Sequence, residues 1–103
     1  MKDLALPLEL PSEAFDDFCV RHHIRRAALF GSVLRADFTP TSDVDLMVEF
    51  DPEYTPGLIG LGKMQDELSA LIGRQVDLLT FRSLHPAIRE RVLREARTIY
   101  DAA

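Results

Sequence analysis

The chain has 103 residues, of which 47% are hydrophobic, and this predicts a single domain (residues 1–103) with one modest core. Its formal net charge of −5 disfavours direct binding to nucleic acid, which requires a basic surface. A single cysteine excludes an internal disulfide and fits a cytoplasmic location, and no apolar run is long enough to predict a membrane span.

The first predicted elements are an N-terminal arm, a helix and a strand. Residues 1–11, which contain two prolines, are predicted to form an irregular or extended arm. Ser12 is the expected N-cap of a helix that ends near Arg26. A strand over 27–30 follows. The helix should bury one face, formed at helical spacing by Phe15, Phe18, Cys19 and His22.

The later elements alternate between strands and helices. They are a strand over 43–50, a loop over 51–57, a helix over 58–72, a strand over 75–80 and a helix over 86–97. The last helix is predicted to turn Ile88, Val92 and Leu93 inward. Gly73 is the expected C-terminal cap of the longer helix. Residues 98–100 either end the last helix or form a short strand. This order predicts an α/β (α+β) domain with a small mixed sheet flanked by helices.

The stretch between the first two strands carries the candidate chemistry. Gly31 permits a sharp turn, and Ser32 opens a helical turn whose free N–H groups suit a phosphate. Asp43 and Asp45 lie two apart on the next strand, so both carboxylates face the same way. Because adjacent carboxylates repel, and because Mg²⁺ prefers oxygen ligands, the stretch predicts a metal–nucleotide site.

Asp77 is the predicted third metal ligand. It lies between Val76 and Leu78 in the third strand, where a charge costs stability unless it is paired, coordinated or at the sheet rim. If the second and third strands are neighbours, Asp77 shares a sheet face with Asp43 and Asp45.

Together, the Gly31-Ser32 pair, the Asp43-x-Asp45 pair that follows after ten intervening residues, and Asp77 resemble the nucleotidyltransferase superfamily that includes DNA polymerase β. More narrowly, most of the chain is similar to the minimal nucleotidyltransferases (MNT). The resemblance implies a polymerase β-like core that transfers AMP from ATP to a hydroxyl and releases pyrophosphate. It also implies two Mg²⁺ ions on the three aspartates, with Asp77 nearer the acceptor, and ATP phosphates on the Gly31-Ser32 turn.

Two further residues are assigned to nucleotide binding. Arg35 is a cation beside the predicted phosphate site, and its alternative is a solvated side chain on a short helix. Ser42 caps or shapes the turn before Asp43.

Five arginines near the C-terminus are interpreted as a solvated helix face balanced by Glu90 and Glu95, with a partner surface as the alternative. They are Arg82, Arg89, Arg91, Arg94 and Arg97.

The resemblance also implies a biological role. Minimal nucleotidyltransferases are commonly antitoxins paired with a HEPN-domain ribonuclease toxin, and some attach AMP to a toxin tyrosine. The chain would then be a homo-oligomer, or a hetero-oligomer with the toxin. Two alternatives are an antitoxin that acts by stoichiometric binding with little catalysis, and an adenylyltransferase that modifies a small molecule such as an antibiotic. The intact aspartates favour an enzyme, and the absence of a second domain disfavours a small-molecule acceptor.

Overall fold

The computed structural model describes residues 11–31 and 43–102, which form one mixed four-stranded sheet with helices on both faces. In chain order the described elements are α1 (Ser12–Arg21), β1 (Ile24–Phe30), β2 (Val44–Phe50), α2 (Leu58–Ile72), β3 (Val76–Thr80), α3 (Pro86–Glu95) and β4 (Arg97–Asp101). The predicted fold class, a small mixed sheet flanked by helices, is confirmed. No helix in this part of the chain is long and apolar enough to cross a membrane.

The strand order is β3-β2-β1-β4. β1 pairs antiparallel with β2 and β4, whereas β2 and β3 are parallel and are joined through α2, as a parallel crossover requires. Because β1 is antiparallel to β2 and β3 runs parallel to β2, the last residue of β1 lies at the same end of the strands as the first residues of β2 and β3. We call this end of the sheet, marked by Gly31, the Gly31 end.

The larger core lies between the sheet and the helices α1 and α2. Val44, Leu46 and Val48 alternate along β2 and are almost fully buried, together with Phe18 of α1 and Leu68 of α2. α2 has the predicted bounds, and Gly73 ends it in the left-handed conformation at φ 81°. Because Val44, Leu46 and Val48 face this core, the residues between them, Asp45 and Met47, point to the opposite face of the sheet.

Among the residues that the structure describes, α3 covers part of the opposite face. Ala28, Met47 and Leu84 form a smaller core there, and Val92 of α3 packs against it. Ile88 and Leu93 were expected to face inward, but both are 44% exposed. The expectation was wrong because Val92 and Ala96 occupy the inward line of the helix. At about 100° per residue, Ile88 and Leu93 fall at its two borders.

The boundary between α1 and β1 differs from the prediction. α1 ends at Arg21 rather than near Arg26, because His23 takes a left-handed φ of 58° and Ile24 is buried in the sheet opposite Phe50. The cap position of α1 is occupied by Pro11, with no side-chain hydrogen bond, so the assignment of Ser12 as N-cap was wrong.

The C-terminal residues form β4, which settles the alternative left open for 98–100. Ala28 pairs with Thr98 and Ala27 with Tyr100, so a bulge at Ile99 interrupts the register. Ile99 and Tyr100 then both pack against the larger core. Helix α3 accordingly ends at Glu95, two residues earlier than predicted.

Side chains of α2 bind the outer edge of β3. The Val76 N–H donates to Ser69 Oγ at 3.0 Å, and the Leu78 N–H donates to Gln65 Oε1 at 2.8 Å. These bonds occupy edge donors that would otherwise pair with another strand. They also hold β3, and with it Asp77, at one position along α2.

Candidate active site

Asp45 and Asp77 are partners across the parallel strands β2 and β3. Adjacent strands lie about 4.8 Å apart, and partnered residues point to the same face. Both aspartates are half-buried, and their chain neighbours Val44, Leu46 and Val76 are buried in the larger core. The condition set by the sequence analysis, that these two strands are neighbours, is therefore met, and it brings two carboxylates side by side at the Gly31 end.

Asp43 lies immediately before β2 at the same end and is exposed. The Val44 N–H donates to the Gln75 carbonyl at 2.9 Å. The pairing of β2 with β3 therefore begins directly after Asp43 and Gln75. Asp43 and Asp45 lie two positions apart, which places both on the same side of the extended backbone. All three predicted aspartates thus lie at one edge of the sheet.

Gly31 packs directly against Asp45. Its φ is +77°, a conformation that residues with a side chain rarely adopt. A Cβ atom at this position would lie 3.1 Å from Asp45 Cγ and would overlap Asp45 Oδ2. The glycine therefore lets the backbone at the end of β1 approach the carboxylate of Asp45, a contact that the sequence did not predict.

Three predicted site residues, Ser32, Arg35 and Ser42, lie outside the described residues. Their assignments to nucleotide binding stay predictions, as does the phosphate role of the Gly31-Ser32 turn.

The carboxylates at the Gly31 end have the donor chemistry of a divalent-cation site, since they supply oxygen ligands and their negative charges repel one another. Among residues 11–31 and 43–102, however, no group of three or more His, Cys, Asp or Glu side chains is arranged to hold a metal ion. The assignment of Asp43, Asp45 and Asp77 as metal ligands therefore stays a prediction, which their shared location supports.

The nucleotidyltransferase domain family matches the chain over residues 12–99. The chain belongs to this family. The match includes the Gly31-Ser32 pair and all three aspartates. In the sheet, these matched residues come together: Gly31 and the partnered Asp45 and Asp77 lie at the Gly31 end.

Two curated relatives of this nucleotidyltransferase are named as protein adenylyltransferases. A putative protein adenylyltransferase of Methanocaldococcus jannaschii is 39% identical over 77 residues, which span 75% of this chain and 81% of the relative. Protein adenylyltransferase MntA of Thermococcus cleftensis is 39% identical over 75 residues, which span 73% of this chain and 74% of the relative.

Solved structures share the fold. A putative minimal nucleotidyltransferase superimposes with a TM-score of 0.67 at 40% identity, over 82% of this chain and 84% of that one. A second match comes from the structure of a tri-AMPylated HEPN toxin from Shewanella oneidensis in complex with MNT antitoxin. It has a TM-score of 0.64 at 18% identity, over 86% of this chain and 68% of the matched chain. The second likeness shows the fold alone.

The three histidines of this nucleotidyltransferase have structural contacts. His22 lies 3.0 Å from Glu67, and His23 stacks on Tyr54 with ring centroids 3.8 Å apart. His85 Nδ1 accepts a hydrogen bond from the Ala87 N–H at the start of α3.

Proposed function

We propose that this nucleotidyltransferase transfers AMP from ATP to a hydroxyl of a partner protein. The observation that carries the proposal is the partnered pair Asp45 and Asp77, with Gly31 packed against Asp45 at the end of β1. Membership of the nucleotidyltransferase family and the names of the curated relatives support it.

In the proposed site, Asp43, Asp45 and Asp77 hold Mg²⁺, with Asp77 nearer the acceptor. When bound, the ions neutralise charge on the phosphates and stabilise the attacking and leaving oxygens. The Gly31-Ser32 turn binds the β- and γ-phosphates through backbone N–H groups. Arg35 and Ser42 complete the nucleotide-binding set, Arg35 as a cation beside a phosphate oxygen.

The proposed reaction is an in-line displacement at the α-phosphorus of ATP. The bond between the acceptor oxygen and the α-phosphorus forms as the bond to the bridging oxygen of pyrophosphate breaks. The acceptor proton leaves toward Asp77, the carboxylate on the acceptor side. Holding the acceptor and ATP in this alignment is the main contribution of the protein.

The proposed acceptor is a HEPN-domain toxin, which makes this chain the antitoxin of the pair. The AMPylated HEPN toxin in the Shewanella oneidensis complex, whose antitoxin shares this fold, motivates the choice. The cytoplasm, where ATP and Mg²⁺ are available, is the proposed location. We further propose that the chain works as a single domain in a hetero-oligomer with the toxin.

The test is to incubate the chain with the protein encoded by the adjacent gene, ATP and Mg²⁺, and to weigh that protein by mass spectrometry. We expect a mass gain of one or more AMP units, and no gain with Asp45→Asn, Asp77→Asn. An unmodified neighbour that is nevertheless fully inhibited would refute transfer and favour stoichiometric binding.

A further inference from the structure

Charge is distributed unevenly along this chain. Residues 82–97 contain five arginines and two glutamates, so this stretch carries a charge of +3 while the rest of the chain carries −8. The stretch covers α3, the turns that flank it and Arg97, the first residue of β4. A basic surface within an acidic domain attracts acidic ligands to one place.

Four of the five arginines are exposed, and none of these four forms a salt bridge with a described carboxylate. Elsewhere in the described chain, by contrast, Arg21 bonds Asp17 and Glu67, and Arg26 bonds Glu49. The exposure of these four arginines agrees with the sequence-based interpretation of a solvated face, and the five arginines of this stretch outnumber its two glutamates, Glu90 and Glu95.

We call Arg91 and Arg94, which lie three residues apart on α3, the arginine face. Arg97 pairs with Leu29 of the larger core and so points to the face of the sheet opposite α3, and Arg82 follows β3 at the end away from Gly31.

The fifth arginine has a structural role. Arg89 Nη2 donates to the Leu84 carbonyl at 3.0 Å, and its guanidinium lies 5.2 Å from the centre of the Phe81 ring. This contact anchors the start of α3 to the turn after β3. Arg89 is therefore excluded from the arginine face.

α3 crosses the same sheet face that presents Asp45 and Asp77. Its Val92 packs against the smaller core, which includes Met47. Met47 lies two residues beyond Asp45 and so points to the same side. Leu79, two residues beyond Asp77, is also on this face and is 36% exposed. The helix and the aspartates therefore border one common surface.

The two borders of α3 face opposite ends of this surface. Leu93 lines a cavity of about 90 Å³ together with Arg26 and Glu49, which lie at the end of the sheet away from Gly31. The opposite border, with Ile88 and its i+3 neighbour Arg91, therefore faces the Gly31 end. This arrangement places exposed apolar and basic groups beside the candidate active site.

We propose that the arginine face docks an acidic segment of the acceptor protein, next to the hydroxyl that receives AMP. This inference rests on the proposed function and names the chemistry of the acceptor. The arginines pair with carboxylates, while Leu79 and Ile88 contact apolar side chains of the same segment. A polypeptide fits better than RNA because the remainder of the chain repels a phosphate backbone.

The test uses a fluorescein-labelled random copolymer of glutamate and tyrosine, which supplies carboxylates beside hydroxyl acceptors. Its binding is followed by fluorescence anisotropy without ATP, so the measurement does not depend on transfer. We expect Arg91→Glu, Arg94→Glu to weaken binding by about tenfold or more, and Arg91→Gln, Arg94→Gln to have a smaller effect. The matched control is Arg25→Glu, which reverses an exposed arginine of β1 and should change binding less than about twofold.

Four outcomes would overturn the inference. The first three are equal binding by wild type and the double charge reversal, equal weakening by Arg25→Glu, and weaker ATP binding in the double variant, which would place these arginines in the nucleotide site. A fourth is displacement of the copolymer by single-stranded RNA at lower concentration than by unlabelled copolymer. Failure of transfer with docking intact would instead refute the proposed function.

Discussion

At the scale of single residues, the contact between Gly31 and Asp45 decides the geometry of the candidate site. Two features of the structure require glycine at position 31. Its φ is positive, and the Asp45 carboxylate occupies the space that a side chain of residue 31 would need. The Gly-Ser motif predicts a turn and a phosphate site from sequence. That the same glycine also makes room for a carboxylate on the neighbouring strand depends on strand pairing.

Gly31→Ala should therefore affect both stability and activity. The left-handed backbone should cost about 1–2 kcal/mol in the free energy of unfolding. Displacement of Asp45 by the new methyl group should reduce AMP transfer by about a hundredfold. Urea unfolding and a transfer assay with labelled ATP measure the two effects.

Gly62→Ala is the matched control for this substitution. Gly62 lies within α2, and a Cβ there would meet no atom within 4 Å. Alanine should stabilise the helix by up to about 1 kcal/mol and leave transfer unchanged. Full activity in Gly31→Ala would contradict the assigned contact.

Cys19 is a second residue whose environment has a measurable consequence. Burial, with a smaller contribution from Asp16, raises the pKa of its thiol from 9.0 to about 12. The folded chain therefore keeps its proton in the range between pH 9 and 12, where the thiol of the unfolded chain ionises. Stability should be unaffected by this thiol below pH 9 and should fall above it.

The measurement compares urea unfolding of the wild type and Cys19→Ala at pH 8 and pH 10. Between these pH values the free energy of unfolding should fall by about 1 kcal/mol more in the wild type than in the variant, because the alanine cannot ionise. An equal loss in the two proteins would show that the thiol ionises normally in the fold. The comparison removes the contributions of tyrosine and lysine residues, which both proteins share.

At the scale of elements, α2 positions β3 through hydrogen bonds as well as through packing. Gln65 and Ser69 accept hydrogen bonds from the edge N–H groups of β3, on either side of Asp77. The amphipathic pattern predicted α2 with correct bounds because helical periodicity is local. It did not predict these bonds, because Gln65 and Ser69 lie beside the apolar stripe and their partners are far along the chain.

Gln65→Ala should lower the free energy of unfolding by about 1–3 kcal/mol, since the part-buried Leu78 N–H loses its acceptor. AMP transfer should fall as well, because the same strand carries Asp77. Thermal denaturation and the transfer assay measure the two effects. Lys63→Ala, at an exposed position of the same helix, should change neither; equal effects of the two substitutions would refute a specific role for Gln65.

Two element boundaries near the ends of the chain depend on tertiary contacts: the end of α1 and the start of β4. α1 was predicted to continue to Arg26 because Arg21, Arg25 and Arg26 suit a helix C-terminus. In the structure, Ile24 pairs with Phe50, and the gain from burying it exceeds the local helix preference. Similarly, Ile99 and Tyr100 reach the core only as part of a strand beside β1.

At the scale of the whole molecule, partnered carboxylates oppose folding until a cation neutralises them. Mg²⁺ with ATP should therefore raise the melting temperature of the wild type, because both bind the folded state preferentially. Asp45→Asn, Asp77→Asn should show no rise with Mg²⁺ and ATP.

Differential scanning fluorimetry with and without Mg²⁺ and ATP measures both effects. Asp66→Asn, at an exposed position of α2, is the control and should respond as the wild type does. Equal responses of all three proteins would refute the assignment of the aspartates to the metal–nucleotide site.

Local patterns in the sequence alone determined several features of this protein: the helix over 58–72, the Gly31-Ser32 turn signal, the Asp43-x-Asp45 spacing and membership of the family. Only the tertiary structure decided that Asp77 is the partner of Asp45, that Gly31 packs against that carboxylate and that the arginine face borders the same surface. The physical reason is that periodicity and turn chemistry act over a few residues. Strand register and helix placement, by contrast, depend on burying residues that are distant in sequence.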